Sequence, residues 1–159
     1  MHLHDFAGQV VVLDFFHHDC HSCHTAADEL GLFVQAHYEG LGGNPAGLAV
    51  QVLPISLGDP DTPEVDDFIA DHNLGMVLHD VDGSLLDCYG DGGIPQFVII
   101  NGASGANYGQ WEIIAKPLGY WPDRYLEFRG IIDAVTPEPS ALCLLAVGAI
   151  TAGRRRRSR

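Results

Sequence analysis

The sequence predicts an α/β domain in which strands and helices alternate and pack in layers. Residues 10–16 form an unbroken run of mostly β-branched and aromatic side chains, which is typical of a buried central strand. Residues 20–38 then repeat apolar side chains at three- and four-residue spacing, which is typical of a helix. Similar patterns follow to residue 135, and their alternation predicts layers around one core. A chain of 159 residues suits a domain of ordinary size.

The other elements follow from local patterns in chain order. Pro54 indicates a strand end or bulge inside the second strand, and Asp82-Gly83 indicates a turn after the third. The loop at residues 101–109 makes the last two strands antiparallel if it closes a simple hairpin. The predicted elements are strands at 49–56, 76–79, 96–100 and 110–115 and helices at 64–72 and 122–135.

Charge is distributed unevenly along the chain. The net charge is −13, yet five of the eight basic residues lie within positions 154–159. Residues 1–139 hold three basic side chains against 21 acidic ones, which gives this part a net charge of −18. Phosphate backbones would repel such a surface, so the composition argues against nucleic acid as a partner.

Two of the four cysteines form a close pair, Cys20-His21-Ser22-Cys23. The pair falls after the first strand and at the start of the first helix, where unpaired N–H groups and the helix dipole stabilise a thiolate. This spacing and position are typical of a redox-active pair. A protonated His21 would stabilise the Cys20 thiolate further, whereas Asp19 would oppose it. Isolated Cys88 is a possible third redox thiol, although a small buried residue is the favoured interpretation.

The same segment permits two other interpretations. Cys20 to His24 spells C-x-x-C-H, the attachment motif of c-type haem, although the strand before it argues against the all-α setting of such motifs. The histidines could instead bind zinc or copper with the cysteines. The candidate ligands for such a site are His17, His18, Cys20, His21, Cys23 and His24.

Two segments resemble the thioredoxin superfamily. Residues 12–16, followed by Cys20-x-x-Cys23, resemble its active-site segment, and residues 89–95 resemble the stretch that leads to its cis-proline. The resemblance implies a three-layer α/β/α sandwich with a mixed central sheet over residues 1–135. It also implies that Asp14 accepts the proton of Cys23, that the Ile94–Pro95 bond is cis and binds substrate, and that no cofactor or metal is required.

The gap between Cys23 and Pro95, together with residues 3–10 and 79–83, is similar to the extracytoplasmic TlpA-like branch. Asp19 and Gln96 depart from the family, in which Trp and Thr are usual at these places. The chain begins inside the family's lead-in segment, so we expect a truncated N-terminus.

The C-terminal segment, residues 136–159, resembles a PEP-CTERM sorting signal. Pro137-Glu138-Pro139 is followed by 14 uncharged, mostly apolar residues at 140–153 and then by the arginine cluster. The resemblance implies recognition by an exosortase-type enzyme and a location in the extracytoplasmic cell envelope. A hydrophobic helix in this tail would hold the protein in the membrane, at least before processing, with the arginines on the cytoplasmic side.

Together these features predict a thiol–disulfide oxidoreductase that acts on the thiols or disulfides of envelope proteins and needs a redox partner protein. Cys20 would exchange with the substrate and Cys23 would resolve the mixed disulfide. The spacing does not fix the direction of electron flow. The alternative is a non-catalytic envelope protein with the same fold that binds metal or haem through its His/Cys cluster.

Overall fold

A five-stranded mixed sheet forms the centre of the protein in a computed structural model, which describes residues 2–136. The strands are β1 (Gln9–Phe16), β2 (Ala49–Leu57), β3 (Leu78–Asp80), β4 (Gln96–Asn101) and β5 (Glu112–Ala115). Their order across the sheet is β3-β2-β1-β4-β5. β1, β2 and β3 are parallel, whereas β4 is antiparallel to both β1 and β5.

Residues 2–136 contain five α-helices, four of which connect strands, whereas the last follows β5. They are α1 (His21–Leu30), α2 (Ala36–Leu41), α3 (Pro63–Asp71), α4 (Ser84–Tyr89) and α5 (Tyr125–Asp133). The predicted helix at 20–38 is interrupted by a π-helical stretch, Gly31–Gln35, which joins α1 to α2. Gly42 then ends α2 with a φ of 76°, a left-handed conformation that favours glycine.

The core lies on both faces of the sheet because β1 is the central strand. Val10 and Val12 face the layer that contains α1, α2 and α5, whereas Val11, Leu13 and Phe15 face the opposite layer with residues of α4. A central strand covered on both sides has no solvent face, which explains the continuous apolar run at residues 10–16. The predicted α/β layers with a mixed sheet are therefore confirmed.

Two local predictions are wrong. Pro54 does not end or break its strand, since β2 runs on to Leu57. β3 pairs only with residues 55–57, so Pro54 has a strand neighbour on one side of the sheet, where it stands opposite Asp14. Helix α4 was not predicted, and Cys88 within it is exposed rather than buried.

Candidate active site

Cys20 and Cys23 form a disulfide at the start of α1. Cys20 is the N-cap residue, in an extended conformation, and its sulfur accepts a hydrogen bond from the Cys23 N–H at 3.2 Å. The Cα atoms lie 5.2 Å apart. Cys20 is half-buried, whereas Cys23 is buried among Phe16, Ala27 and Phe68. The two sulfurs are therefore unequal, because an approaching protein can reach Cys20 more easily than Cys23.

Asp14 lies in the middle of β1, on the same face of the sheet as Val12 and Phe16 and hence towards the layer of α1. It is almost fully buried, and its Oδ1 atom has no hydrogen-bond partner among the described residues. Burial disfavours the charged carboxylate and raises the pKa of Asp14 to about 7. A carboxyl group with this pKa can give or take a proton near neutral pH.

A cleft of about 750 Å³ gives Asp14 a route to solvent. The same cleft is lined by Leu30, Pro54, Asp28 and His72. Water in this cleft could exchange protons with Asp14 without opening the core.

The Ile94–Pro95 bond is cis and precedes β4. Since β4 runs antiparallel to β1 with Gln96 opposite Phe15, the start of β4 lies at the sheet edge where β1 ends and the loop to Cys20 begins. Ile94 is partly exposed, and the Pro95 carbonyl accepts a hydrogen bond from the Gly119 N–H at 2.8 Å. The topology thus brings the two segments from the sequence analysis to one edge of the sheet.

Gln96 fastens the loop that carries Pro95. Its buried amide donates to the carbonyl oxygens of Phe97 and Pro117, each at 2.9 Å, and its side-chain oxygen accepts from the Asp91 N–H at 3.1 Å. The three bonds join the loop before Pro95 to β4 and to the segment after β5. This gives a structural role to a residue that departs from the family pattern.

Asp19 and His21, on either side of Cys20, are more exposed than the two cysteines. The Asp19 side chain is 82% exposed, and its carboxylate lies 3.5 Å from His18 Nε2 and 3.9 Å from His17 Nδ1. His21 is exposed in the first turn of α1. A large side chain such as Trp in place of Asp19 would cover surface that this chain leaves open to solvent.

The six candidate metal or haem ligands are not gathered around one point. Both cysteines are used in the disulfide. Both ring nitrogens of His24 are hydrogen-bonded to protein groups, one to the His18 carbonyl oxygen and one to His72. This arrangement favours disulfide chemistry over the other two interpretations of the segment.

His72 and Asp28 are site residues that the sequence analysis missed. They lie 48 and four positions from His24, and His72 Nδ1 is 2.7 Å from Asp28 Oδ1. His72 follows the last turn of α3, so only the packing of α3 against α1 brings it to the cysteine pair. No motif within either segment could have indicated the contact.

Solved structures with the same architecture include three proteins of thiol chemistry. A Chlorobium tepidum protein described as a thiol:disulfide interchange protein DsbE is 24% identical, over 83% of this chain and 84% of that chain, with a TM-score of 0.64. A Bacteroides thetaiotaomicron protein described as a protein disulfide isomerase is 16% identical, over 82% and 76%, with a TM-score of 0.65. A secreted Mycobacterium tuberculosis disulfide oxidoreductase is 23% identical, over 79% and 82%, with a TM-score of 0.57.

The chain has the thioredoxin fold. At these identities the likeness establishes the fold, and the predicted thioredoxin-like architecture is confirmed. No curated protein sequence matches the chain.

Residues 135–157 match the family model of the PEP-CTERM protein-sorting motif, so the resemblance seen in the tail is also confirmed. The motif indicates a protein that is sorted to the cell envelope, outside the cytoplasm. Within residues 2–136, none of the helices has the length and apolar character required to cross a bilayer. The predicted hydrophobic helix at 140–153 and the motif Pro137-Glu138-Pro139 lie outside the described residues.

Proposed function

We propose that this thioredoxin-fold protein is a thiol–disulfide oxidoreductase of the cell envelope. The observation that carries the proposal is the disulfide at the start of α1, in which Cys20 is half-buried and Cys23 is buried. Thiol–disulfide exchange needs one sulfur that a substrate can reach and a second that can attack it from within, and this pair supplies both. Two of the solved structures of similar fold are described as a thiol:disulfide interchange protein and as a disulfide oxidoreductase.

In the reducing direction, the Cys20 thiolate attacks one sulfur of a substrate disulfide. A bond forms between Cys20 and that sulfur, the substrate S–S bond breaks, and the other substrate sulfur leaves as a thiolate that takes a proton from solvent. The Cys23 thiol then loses its proton to Asp14 and attacks Cys20. This step re-forms the Cys20–Cys23 bond and releases the second substrate thiol. Two electrons have moved to the substrate, and the oxidising direction is the reverse.

Asp14 is suited to the proton step by burial, a pKa of about 7 and an Oδ1 atom without a partner in the described part of the chain. The cleft beside it offers an exit for the proton. Substrate is proposed to lie along Ile94–Pro95, where the partly exposed Ile94 can pair its backbone groups with an extended chain. The proposed partners are protein thiols or disulfides, a redox partner protein and, for the tail, an exosortase-type enzyme and the membrane.

Catalysed reduction of insulin and oxidative refolding of a reduced model protein would test both directions. Cys20→Ser should abolish turnover, because no other sulfur of the pair is accessible to substrate. Cys23→Ser should instead accumulate a mixed disulfide through Cys20, visible as a mass increase that dithiothreitol removes. Cys88→Ser is the matched control, since Cys88 is an exposed free cysteine on α4, and it should leave turnover unchanged. Turnover that persists in Cys20→Ser would disprove the proposal.

A further inference from the structure

A chain of hydrogen bonds runs from the loop before Cys20 through two histidine rings to a carboxylate. His24 Nε2 lies 2.9 Å from the His18 carbonyl oxygen, and His24 Nδ1 lies 2.7 Å from His72 Nε2. His72 Nδ1 lies 2.7 Å from Asp28 Oδ1. The two rings therefore use all four of their nitrogens in three contacts.

The three contacts together need one proton more than two neutral rings supply. A carbonyl oxygen only accepts, so His24 Nε2 must bear a proton. The contact between the rings needs a second proton, and the contact between His72 and the Asp28 carboxylate needs a third. Two neutral imidazoles hold only two protons, so satisfying all three contacts requires one more. That proton makes one ring an imidazolium, and the Asp28 carboxylate balances it.

The positive end of the chain lies beside the cysteines. His24 directly follows Cys23, and the backbone N–H of His24 donates to the Cys20 carbonyl oxygen at 3.3 Å. Its ring packs against Phe68, with ring centroids 4.6 Å apart, and Phe68 is in the same buried cluster as Cys23. The carboxylate end is more exposed to solvent, since the Asp28 side chain is 61% exposed whereas that of His72 is 8% exposed. Solvent screens the carboxylate more than the rings.

We propose that the hydrogen-bonded chain His24–His72–Asp28 holds one imidazolium beside the Cys20–Cys23 pair. This positive charge favours the reduced form of the pair. The inference rests on the proposed redox function, which it deepens by assigning positioning residues that set the reduction potential. His24 also ties the loop that carries Cys20 to the helix, because its ring holds the His18 carbonyl.

The electron balance gives the direction of the effect. Reduction takes two electrons and one proton when Cys23 becomes a thiol and Cys20 a thiolate, and a nearby positive charge stabilises that thiolate. Other titratable groups near the chain are His17, His18 and Asp19 of the loop, His21 of α1, Asp71 of α3, and Asp14 of β1 across the cleft.

Nuclear magnetic resonance of the imidazole nitrogens tests the proton count directly in the full-length oxidised protein. We expect His24 Nε2 to be protonated, one proton to be shared between the rings, and His72 Nδ1 to be protonated at neutral pH. Two neutral rings, with a bare nitrogen facing either the other ring or Asp28, would overturn the proposal.

Glutathione equilibria of the Cys20–Cys23 couple test the consequence. His72→Gln keeps an amide N–H that can reach His24 but cannot take the charge. The equilibrium constant for reduction should fall by about fivefold, which is the effect of losing one positive charge that solvent partly screens. His79→Gln, an exposed histidine on β3, is the matched control and should leave the constant unchanged. An unchanged constant in a folded His72→Gln would also overturn the proposal.

Asp28→Asn gives a second variant at a mostly exposed position, in case His72→Gln does not fold. It removes the balancing negative charge, so the constant for reduction should rise at mildly acidic pH, where an imidazole is protonated. A constant that does not rise would contradict the inference. These measurements need no turnover, so a protein that fails the insulin test but shows the expected shifts would disprove the proposed function alone.

Discussion

At the scale of single residues, Asp14 is the least expected side chain of the core. It occupies a central strand between Leu13 and Phe15, both of which are apolar and buried. A carboxyl group in such a place costs stability whenever it is ionised. A buried carboxyl group with a pKa of about 7 suits a proton-transfer role, and its cost can be measured.

The pH dependence of stability should reveal that cost. Burial raises the pKa of Asp14 from 3.8 to about 7, so on raising the pH the unfolded chain loses this proton before the folded one does. Asp14 therefore leaves stability unchanged below about pH 3.8, and its cost grows up to about pH 7 and levels off near 4 kcal/mol. Asp14→Asn should be more stable than the wild type by up to this amount at neutral pH and above.

Urea denaturation of the two oxidised proteins across a pH series checks this prediction. The difference in the free energy of unfolding should widen between acid and neutral pH and then stay constant. Asp87→Asn on the exposed side of α4 is the control and should follow the wild-type profile. A difference that is the same at every pH would show that Asp14 titrates as an ordinary exposed carboxyl group.

Cys20 and Cys23 could be singled out from their spacing at the start of a predicted helix, and Asp14 from the resemblance of its segment to the thioredoxin superfamily. His72 and Asp28 could not be found in this way, since their contact depends on how α3 packs against α1. The exposure of Cys88 could not be predicted either, because it depends on helix α4, which the local sequence pattern did not predict.

At the scale of elements, the hydrophobic pattern predicted the strands and helices that bury a clear apolar face and missed or misplaced the short ones. β1, β4 and α3 appear close to their predicted positions because each buries a clear apolar face. The predicted strand at 76–79 lies instead at Leu78–Asp80, and α4 is only six residues long, too short for a periodic pattern. The π-helical stretch Gly31–Gln35 accompanies a tertiary contact, in which the Gln35 side chain accepts from the Val52 N–H at 2.6 Å.

One buried side chain joins the loop after α2 to the end of α5. The Asn44 amide donates to the carbonyl oxygens of Ile132 and Val135, each at 2.9 Å. Its side-chain oxygen accepts from the N–H groups of Ala46 and Leu48, each at 3.0 Å. The two bonds to Ile132 and Val135 are buried, so water cannot readily replace the Asn44 amide there.

Asn44→Ala should therefore lower the free energy of unfolding by about 2 to 4 kcal/mol, through the buried groups left without partners. Asn107→Ala is the matched control, because Asn107 also bonds the end of the domain, at Ala134 and Thr136, but is exposed. Water can replace its partners, and the loss should stay below about 1 kcal/mol. Thermal and urea unfolding measure both, and equal losses would mean that burial of Asn44 is not what stabilises this junction.

At the scale of the whole molecule, the chain combines an acidic domain with a basic end. The first 139 residues carry three basic and 21 acidic side chains, whereas five arginines lie within the last six positions. The sorting motif matches residues 135–157, and Asn107 bonds to Thr136, the last residue that the structure describes. The sheet, the core clusters and the cysteine pair all lie before that point in the chain.

This separation predicts that sorting and redox chemistry can be uncoupled in the full-length protein. Replacing Pro137, Glu138 and Pro139 with alanine should leave the unfolding temperature and the reduction potential of the Cys20–Cys23 couple unchanged. The same change should block processing in a host with an exosortase-type enzyme, because it removes the motif before the apolar segment and the arginines. The variant should then keep its arginine-rich end and stay with the cytoplasmic membrane, held by 14 uncharged, mostly apolar residues and by positive charges on the inner side.

Cell fractionation and the mass of the C-terminal peptide distinguish the two forms. Ser140→Ala, directly after the motif, is the control and should be processed like the wild type. If the triple variant is processed and released as efficiently as the wild type, the Pro-Glu-Pro motif does not direct sorting here. If its reduction potential changes instead, the tail contacts the cysteine pair and the two parts are not independent. Unchanged redox chemistry together with retained arginines would show that the acidic thioredoxin-fold domain works as a unit and that the tail determines only its location.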